Sequence, residues 1–141
     1  MDLKKLLINR LRSFNQIFLL LLALSLVSLS IADDAPSIND KIYTKKQAKT
    51  GEALYKNNCL ICHNKKYFRP VFKTWENQSL GTFFLVMSSS MPENNPGSLV
   101  HQEYIDILAY ILSLNRYSSG KEELSNSVDD LNLITIQPRK K

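Results

Sequence analysis

The sequence predicts a small all-α fold, because apolar residues recur at helical spacing in three segments and no part of the chain requires a sheet. The three predicted helices span residues 45–58, 80–88 and 99–115. Removal of a predicted signal peptide leaves about 109 of the 141 residues, which is the size of one domain. A chain of this length forms only a modest hydrophobic core.

The first predicted helix begins after Thr44, which forms a Thr-x-x-Gln capping-box pattern with Gln47. Ala48, Gly51 and Tyr55 then fall on one helical face, which we expect to be buried. The helix leads directly into the segment that contains both cysteines of the chain.

The middle of the chain combines an aromatic segment with a short helix. Residues 64–78 are rich in aromatic side chains without a clear period, and we expect a loop that packs against a flat apolar group. Ser79 is positioned to cap the helix over residues 80–88, which the Ser88–Ser90 run should end. The Asn-Asn-Pro-Gly sequence at 94–97 predicts a turn.

The last predicted helix has the clearest amphipathic pattern. Its apolar stripe consists of Tyr104, Ile107, Leu108, Ile111 and Leu114. A polar tail follows, interrupted by a short apolar stretch over residues 131–136.

The N-terminus is typical of a secretory signal peptide. Four basic residues precede an apolar run over residues 17–31, and small residues at Ser30 and Ala32 match a cleavage site after Ala32. This predicts a periplasmic protein. The alternative is an uncleaved membrane anchor, although a spanning helix needs roughly 20 apolar residues. Without the segment's four basic residues and one acid, 14 basic and 12 acidic residues remain, a charge of +2 that does not favour nucleic acid binding.

Cys59, Cys62 and His63 form a C-x-x-C-H motif, which is the attachment signature of a c-type haem. Two thiols at this spacing can each add to one vinyl group of a porphyrin, and the next residue can bind the iron from the proximal side. The motif predicts one covalent haem c with His63 as an iron ligand. A redox dithiol or half of a zinc site is the alternative for the two cysteines.

Met91 is the predicted sixth ligand of the iron. It precedes a proline in a non-helical segment, and the 27 residues between His63 and Met91 are enough to pass around the porphyrin edge. A thioether ligand raises the reduction potential, which suits electron transfer. Met87 lies in phase with the apolar face of its helix, so we assign it to the core. His101 is expected to be an exposed residue at the start of the last helix.

The chain resembles the class I c-type cytochromes with a single haem, and is most similar to the cytochrome modules associated with quinoprotein (PQQ-dependent) alcohol dehydrogenases. The residues that carry the resemblance are Gly51-Glu52-Ala53-Leu54-Tyr55, the Cys59–His63 motif, Trp75, Ser79-Leu80-Gly81, Phe84, Met91-Pro92, Pro96-Gly97-Ser98-Leu99 and Glu103–Leu112. This resemblance implies a small fold in which the N- and C-terminal helices cross around one covalently bound haem.

The resemblance also implies roles for single residues. Gly51 and Tyr55 match the glycine–aromatic pair that crosses the last helix, here near Ile107. Pro70 is similar in position to a cofactor-binding proline that packs against the proximal histidine and orients it. Val100 stands where relatives often carry a capping serine, which should weaken the start of the last helix by about 1 kcal/mol unless Ser98 caps it instead.

The expected domain organisation is a signal peptide at 1–32, a polar leader at 33–43, a haem domain at 44–116 and a C-terminal extension at 117–141. We expect a periplasmic one-electron carrier without catalytic activity of its own. It would accept electrons from a quinoprotein-type dehydrogenase and pass them to the respiratory chain through an oxidase or another cytochrome.

Three other functions stay open at this point. A haem-based sensor or a peroxidatic protein would have a labile sixth ligand. A thiol oxidoreductase would use Cys59 and Cys62 directly. An electron-transfer subunit would be permanently docked to a dehydrogenase.

Overall fold

The computed structural model describes residues 35–140 and, before them, Arg10 and Gln16. The predicted signal peptide and its cleavage site lie outside the described residues. Between residues 35 and 140 the helices are α1 (Lys45–Asn58), α2 (Phe68–Thr74), α3 (Leu80–Ser90), α4 (His101–Leu114) and α5 (Val128–Asn132). This part of the chain has isolated β-bridges but no strand, so the all-α prediction is confirmed. No helix in the described ranges is both long and apolar enough to traverse a bilayer.

Helix α1 has the predicted bounds and the predicted N-cap. The Thr44 side chain accepts a hydrogen bond from the Gln47 amide (3.0 Å), which satisfies one of the unpaired donors of the first turn. The reciprocal half of the capping box is absent from the described contacts, because the Gln47 side chain bonds elsewhere. Its Oε1 accepts from the Leu124 amide (2.7 Å), and its Nε2 donates to the Leu124 carbonyl (3.3 Å).

Helices α1 and α4 cross in close backbone contact at Gly51. A Cβ atom at this position would overlap the Asp106 carbonyl and lie 2.9 Å from the Ile107 amide nitrogen. One turn further along α1, the ring of Tyr55 packs edge-on against Tyr110, with ring centroids 5.3 Å apart. The crossing implied by the family resemblance is therefore present, and it forms the centre of the core.

The aromatic segment contains a helix that the sequence analysis did not predict. Helix α2 covers Phe68–Thr74, and Pro70 lies in its first turn, where the missing amide hydrogen costs nothing. Phe68 and Phe72 are buried against Phe83 of α3. The loop prediction for this part of the chain is wrong. Phe68, Val71, Phe72 and Trp75 do fall at the i, i+3, i+4, i+7 spacing of a helix, a pattern hidden by the neighbouring Tyr67 and Pro70.

Helix α3 ends two residues later than predicted. Ser79 caps it as expected, accepting from the Thr82 amide (3.0 Å). The run Ser88–Ser90 continues the helix, and each hydroxyl donates back to a carbonyl of the preceding turn, at Leu85 or Val86, and so does not compete with the helical backbone amides. The helix ends at Met91, before Pro92, where the residue preceding a proline avoids the helical conformation.

The segments on either side of the helical core pair with each other. The Ile38 amide donates to the Thr135 carbonyl (3.1 Å), and the Thr135 amide donates to the Pro36 carbonyl (2.8 Å). Ile38, Leu131 and Ile136 are fully buried. Ala35–Lys141 accordingly forms one compact unit, and the regions read from sequence as a polar leader and a polar tail contribute to its core.

Helix α4 begins at His101 and lacks a side-chain N-cap. Val100 occupies the cap position, 65% exposed, and its amide donates to Glu103 Oε2 (3.0 Å). Its own side chain has no acceptor for the amides of the first turn, and Ser98 does not replace it. Only one half of a capping box is therefore formed.

Replacement of Val100 by serine should complete this capping box, because a serine oxygen can accept from the Glu103 amide, which now donates to the Val100 carbonyl (2.9 Å), while the Glu103 carboxylate keeps its bond from the amide of residue 100. We expect a gain of about 1 kcal/mol in the free energy of unfolding and a rise in Tm of about 4 °C. Thermal unfolding of Val100→Ser and of the matched control Val100→Ala measures the effect. An equal gain in both variants would show that loss of the exposed valine, not capping, is responsible.

Candidate functional site

The residues after α1 form a tight turn that carries both cysteines and the following histidine. The Cys59 amide donates to the Tyr55 carbonyl (2.9 Å), so Cys59 closes the helix. The amides of Cys62 and His63 both donate to the Cys59 carbonyl, at 3.1 and 2.8 Å. This folding of the chain back on itself brings Cys59, Cys62 and His63 to the wall of one cavity.

That cavity has a volume of about 820 Å³, within the range of cofactor sites. Cys59, Cys62, His63 and Met91 all line it, although Met91 lies on the other side of α2 and α3 in the chain. Its apolar walls are formed by Phe68, Val71, Trp75, Phe83, Val86, Met87, Leu99, Ile107 and Ile111. Two sulfur atoms, one imidazole, one thioether and an apolar lining fit the requirements of a covalent haem.

Aromatic rings pack against the imidazole of His63, and a hydrogen bond holds the backbone carbonyl of the same residue. Its ring centroid lies 4.1 Å from that of Tyr67 and 5.9 Å from that of Phe68. The Tyr55 hydroxyl donates to the His63 carbonyl (2.7 Å). His63 Nδ1 is buried and has no hydrogen-bond partner among the described residues, a state that is rare for a buried polar atom outside functional sites.

Met91 lies at the end of α3 in extended conformation. Its amide donates to the Met87 carbonyl (3.0 Å), and its carbonyl accepts from the Tyr104 hydroxyl (2.6 Å) and from the Gly97 amide (3.3 Å). The residue is half-buried. Met87 is buried in the core, as predicted, and also forms part of the cavity wall.

Pro70 is not brought to the cavity. It is exposed in the first turn of α2, while Phe68 and Val71 of the same helix line the cavity wall. The carbonyl of a residue in this position points along the helix toward the residue four positions later. No described hydrogen bond joins Pro70 to His63, so the role of Pro70 in orienting that imidazole stays a prediction.

His101 lies away from the cavity and is exposed, as the sequence analysis expected. Its Nε2 atom is 2.7 Å from the Asn126 carbonyl oxygen, and its ring packs edge-on against Phe84 at a centroid distance of 5.0 Å. The residue thus links α4 to α3 and to the C-terminal extension.

The electrostatic environment of Cys59 disfavours a reactive thiolate. Burial raises the pKa of the Cys59 thiol to about 11, with a smaller contribution from the nearby Cys62. Nucleophilic or redox-active cysteines instead have a lowered pKa, produced by a helix N-terminus or adjacent positive charge. Here the thiol follows the C-terminal end of α1, where the helix dipole opposes negative charge.

Three tyrosines around the site were not identified as site residues from the sequence. Tyr55 precedes Cys59 by one helical turn, and this spacing could have placed it near the motif. Tyr104 was assigned only to the apolar stripe of α4, and Tyr67 only to the aromatic segment. Tyr67 lies only four residues after His63, whereas the contact of Tyr104 with Met91 depends on tertiary packing, for which the sequence offers no local signal.

Comparison with known families gives one match. Residues 46–111, just under half of the chain, match the family model described as cytochrome C oxidase, cbb3-type, subunit III. No curated protein and no solved structure is significantly similar to the chain. The matched segment runs from α1 through the C-x-x-C-H turn and Met91 into α4, so it contains the whole candidate site. The match and the helical architecture of residues 35–140, in which no strand is described, together support a class I c-type cytochrome with a small all-α cytochrome c fold.

Proposed function

We propose that the protein is a periplasmic one-electron carrier with a single haem c, bound through thioethers at Cys59 and Cys62 and ligated axially by His63 and Met91. The observation that carries this proposal is that these four side chains line a single apolar cavity. The match to a cytochrome c family supports haem-based electron transfer in general.

A bound haem would supply reversible exchange of one electron at its iron. The protein's own residues would hold the ring, exclude water through the apolar walls and tune the reduction potential through the ligand set. The sulfur of Met91 would favour the reduced state, and the imidazole of His63 would remain bound in both states. No substrate is chemically changed in such a role, so we propose no catalytic residue.

The geometry favours this function over a thiol oxidoreductase. A dithiol enzyme needs an accessible, stabilised thiolate, whereas Cys59 is partly buried and the pKa of its thiol is raised to about 11. A haem-based sensor would differ from an electron carrier in having an open or labile sixth coordination position on its iron. Replacement of Met91, the proposed sixth ligand, therefore distinguishes the two functions.

The proposed partners are redox proteins. The residues shared with quinoprotein-associated cytochromes suggest a quinoprotein-type dehydrogenase as the electron donor, while the matched family is named for a subunit of an oxidase. We therefore propose that electrons pass from such a dehydrogenase to an oxidase or another cytochrome. Purification of the protein with its native associates, followed by mass spectrometry, identifies the donor and distinguishes a free carrier from a docked subunit.

Replacement of Met91 tests the ligand set. In Met91→Ala holoprotein we expect complete loss of the sulfur-to-iron charge-transfer band of the ferric state and rapid binding of carbon monoxide by the ferrous state. Met87→Leu, a volume-conserving change in the same cavity wall, should retain the band and bind carbon monoxide slowly. Loss of the band in Met87→Leu and its survival in Met91→Ala would assign the ligand to Met87. Rapid carbon monoxide binding by the unmodified protein would favour the sensor.

A further inference from the structure

Two buried tyrosine hydroxyls each donate to the backbone carbonyl of one proposed iron ligand. Tyr55 of α1, fully buried, donates to the His63 carbonyl (2.7 Å). Tyr104 of α4, 4% exposed, donates to the Met91 carbonyl (2.6 Å). Neither His63 nor Met91 lies inside a helix, so a regular backbone ladder does not fix these carbonyls.

Both tyrosines project from the helix pair that forms the rigid centre of the fold. Tyr55 lies one turn after Gly51, and Tyr104 lies two residues before Asp106, the residue whose carbonyl faces Gly51. Since the backbones of α1 and α4 are in contact at this point, neither helix can shift along the other without a clash. The two hydroxyl donors therefore have a fixed separation.

The loop that carries Met91 has few other links to this centre. Residues 93–98 are exposed, and their backbone bonds are local, from Asn95 to Pro92 (2.9 Å), from Ser98 to Asn95 (3.3 Å) and from Gly97 to the Met91 carbonyl itself (3.3 Å), so within this loop only a long, local bond supports that carbonyl. The Tyr104 hydroxyl also accepts from the Leu99 amide (3.4 Å), which lies at the far end of the loop. One side chain thus ties both ends of the ligand loop to α4.

We infer that Tyr55 and Tyr104 are positioning residues that fix His63 and Met91 relative to the haem iron, each through its backbone carbonyl. This inference rests on the proposed function, because it assumes that both side chains are ligands. It predicts separable effects: loss of one hydroxyl should disturb one ligand and leave the other unchanged.

The experiment uses full-length holoprotein carrying Tyr55→Phe, Tyr104→Phe or the control Tyr117→Phe. Each change removes one hydroxyl and leaves the ring in place. Tyr117 is a matched control. Its ring is buried and its hydroxyl also donates to a backbone carbonyl, that of Gln137 (2.8 Å), but the residue does not line the cavity. The measurements are carbon monoxide binding to the ferrous protein and the hyperfine-shifted NMR resonances of the His63 ring and the Met91 methyl group.

For Tyr104→Phe we expect carbon monoxide to bind about fivefold faster, which corresponds to about 1 kcal/mol for one lost hydrogen bond. The Met91 methyl resonance should shift, while the His63 ring resonances stay in place. For Tyr55→Phe the reverse is expected, with shifted His63 resonances and an unchanged rate. Tyr117→Phe should lower thermal stability without changing the rate or either set of resonances.

Equal changes in all three variants, or a carbon monoxide rate for Tyr104→Phe that matches Tyr117→Phe, would overturn the inference and leave a purely structural role. These results would not touch the proposed function, which fails separately if the unmodified protein contains no covalent haem. Haem without a methionine charge-transfer band would overturn the Met91 half of both proposals.

Discussion

A chain in which Cys59 and Cys62 are both replaced by alanine is expected to lack covalent haem and to be poorly folded. The candidate site is a cavity of about 820 Å³ with apolar walls contributed by α2, α3 and α4. Without haem these apolar walls would be exposed to water, and each Å² of apolar surface left exposed forgoes about 25 cal/mol of stabilisation. The total stability of a small domain is only about 5–15 kcal/mol, so the loss of this burial should leave the polypeptide poorly folded.

Intact mass and two-dimensional NMR spectra of the exported protein test this expectation. The unmodified protein should have the mass of polypeptide plus one haem and a well-dispersed spectrum. The double variant should have the mass of bare polypeptide and a collapsed spectrum. Replacement of the half-buried Ser88 and the exposed Ser89 by alanine provides a control with the same number of substitutions in the same domain. A well-dispersed spectrum from the haem-free double variant would show that the polypeptide core is sufficient by itself.

The parts of the fold predicted from sequence are those with local signals. Helix α1 was located from the Thr44 cap and from the face that contains Gly51 and Tyr55, and its bounds agree with the structure. Helix α4 was located from its apolar stripe, and only its ends differ from the prediction, by one or two residues. A cap and a helical period are both contained within a few neighbouring residues, so no tertiary information is needed to read them.

The parts that were missed depend on contacts between distant segments. Ile38 and Ile136 are fully buried because the segments before α1 and after α5 form backbone hydrogen bonds at Thr135. No local sequence pattern predicts that pairing. Helix α2 was missed although Phe68, Val71, Phe72 and Trp75 have helical spacing, because the apolar Tyr67 and Pro70 beside them hide the pattern and only the contact with rings on α3 shows which face is buried. The role of Pro70 was taken from the family resemblance alone and stays a prediction, since the structure shows only that the residue is exposed in α2 and does not line the cavity.

The candidate site divides in the same way. Cys59, Cys62 and His63 were selected by a spacing that has a chemical reason, and Met91 by its place in a non-helical segment before a proline. All four line one cavity. The tyrosine hydroxyls that hold the backbone of His63 and Met91 could not be assigned in advance, because a buried tyrosine on an apolar helix face is ordinarily a core residue. Sequence motifs thus indicate which side chains bind a cofactor. The residues that position those side chains can be identified only from the packing of the folded chain.

Gly51→Ala is expected to destabilise the protein by about 3 kcal/mol, the upper end of the range for overpacked cores. In an exposed helix interior the same substitution stabilises by roughly 0.5–1 kcal/mol, because alanine loses less backbone entropy on folding. The sign should reverse here, since the added methyl group would overlap the Asp106 carbonyl and approach the Ile107 amide at 2.9 Å. These are backbone atoms of α4 and cannot rotate aside, so the helices must separate.

Separation of α1 from α4 would also move Tyr55 away from Tyr104, and with them the backbone of both proposed iron ligands. Gly51→Ala holoprotein should therefore lose stability and also show a weakened sulfur-to-iron band, which denaturant titration and the ferric spectrum measure on the same sample. Thr50→Ala, at the exposed neighbouring position of α1, should leave the band unchanged and raise stability slightly, by at most about 0.7 kcal/mol, because alanine has the higher helix propensity. A Gly51→Ala protein at least as stable as the unmodified one would mean that the two helices have room at their crossing. In that case α1 and α4 would not form a rigid support for the two ligands.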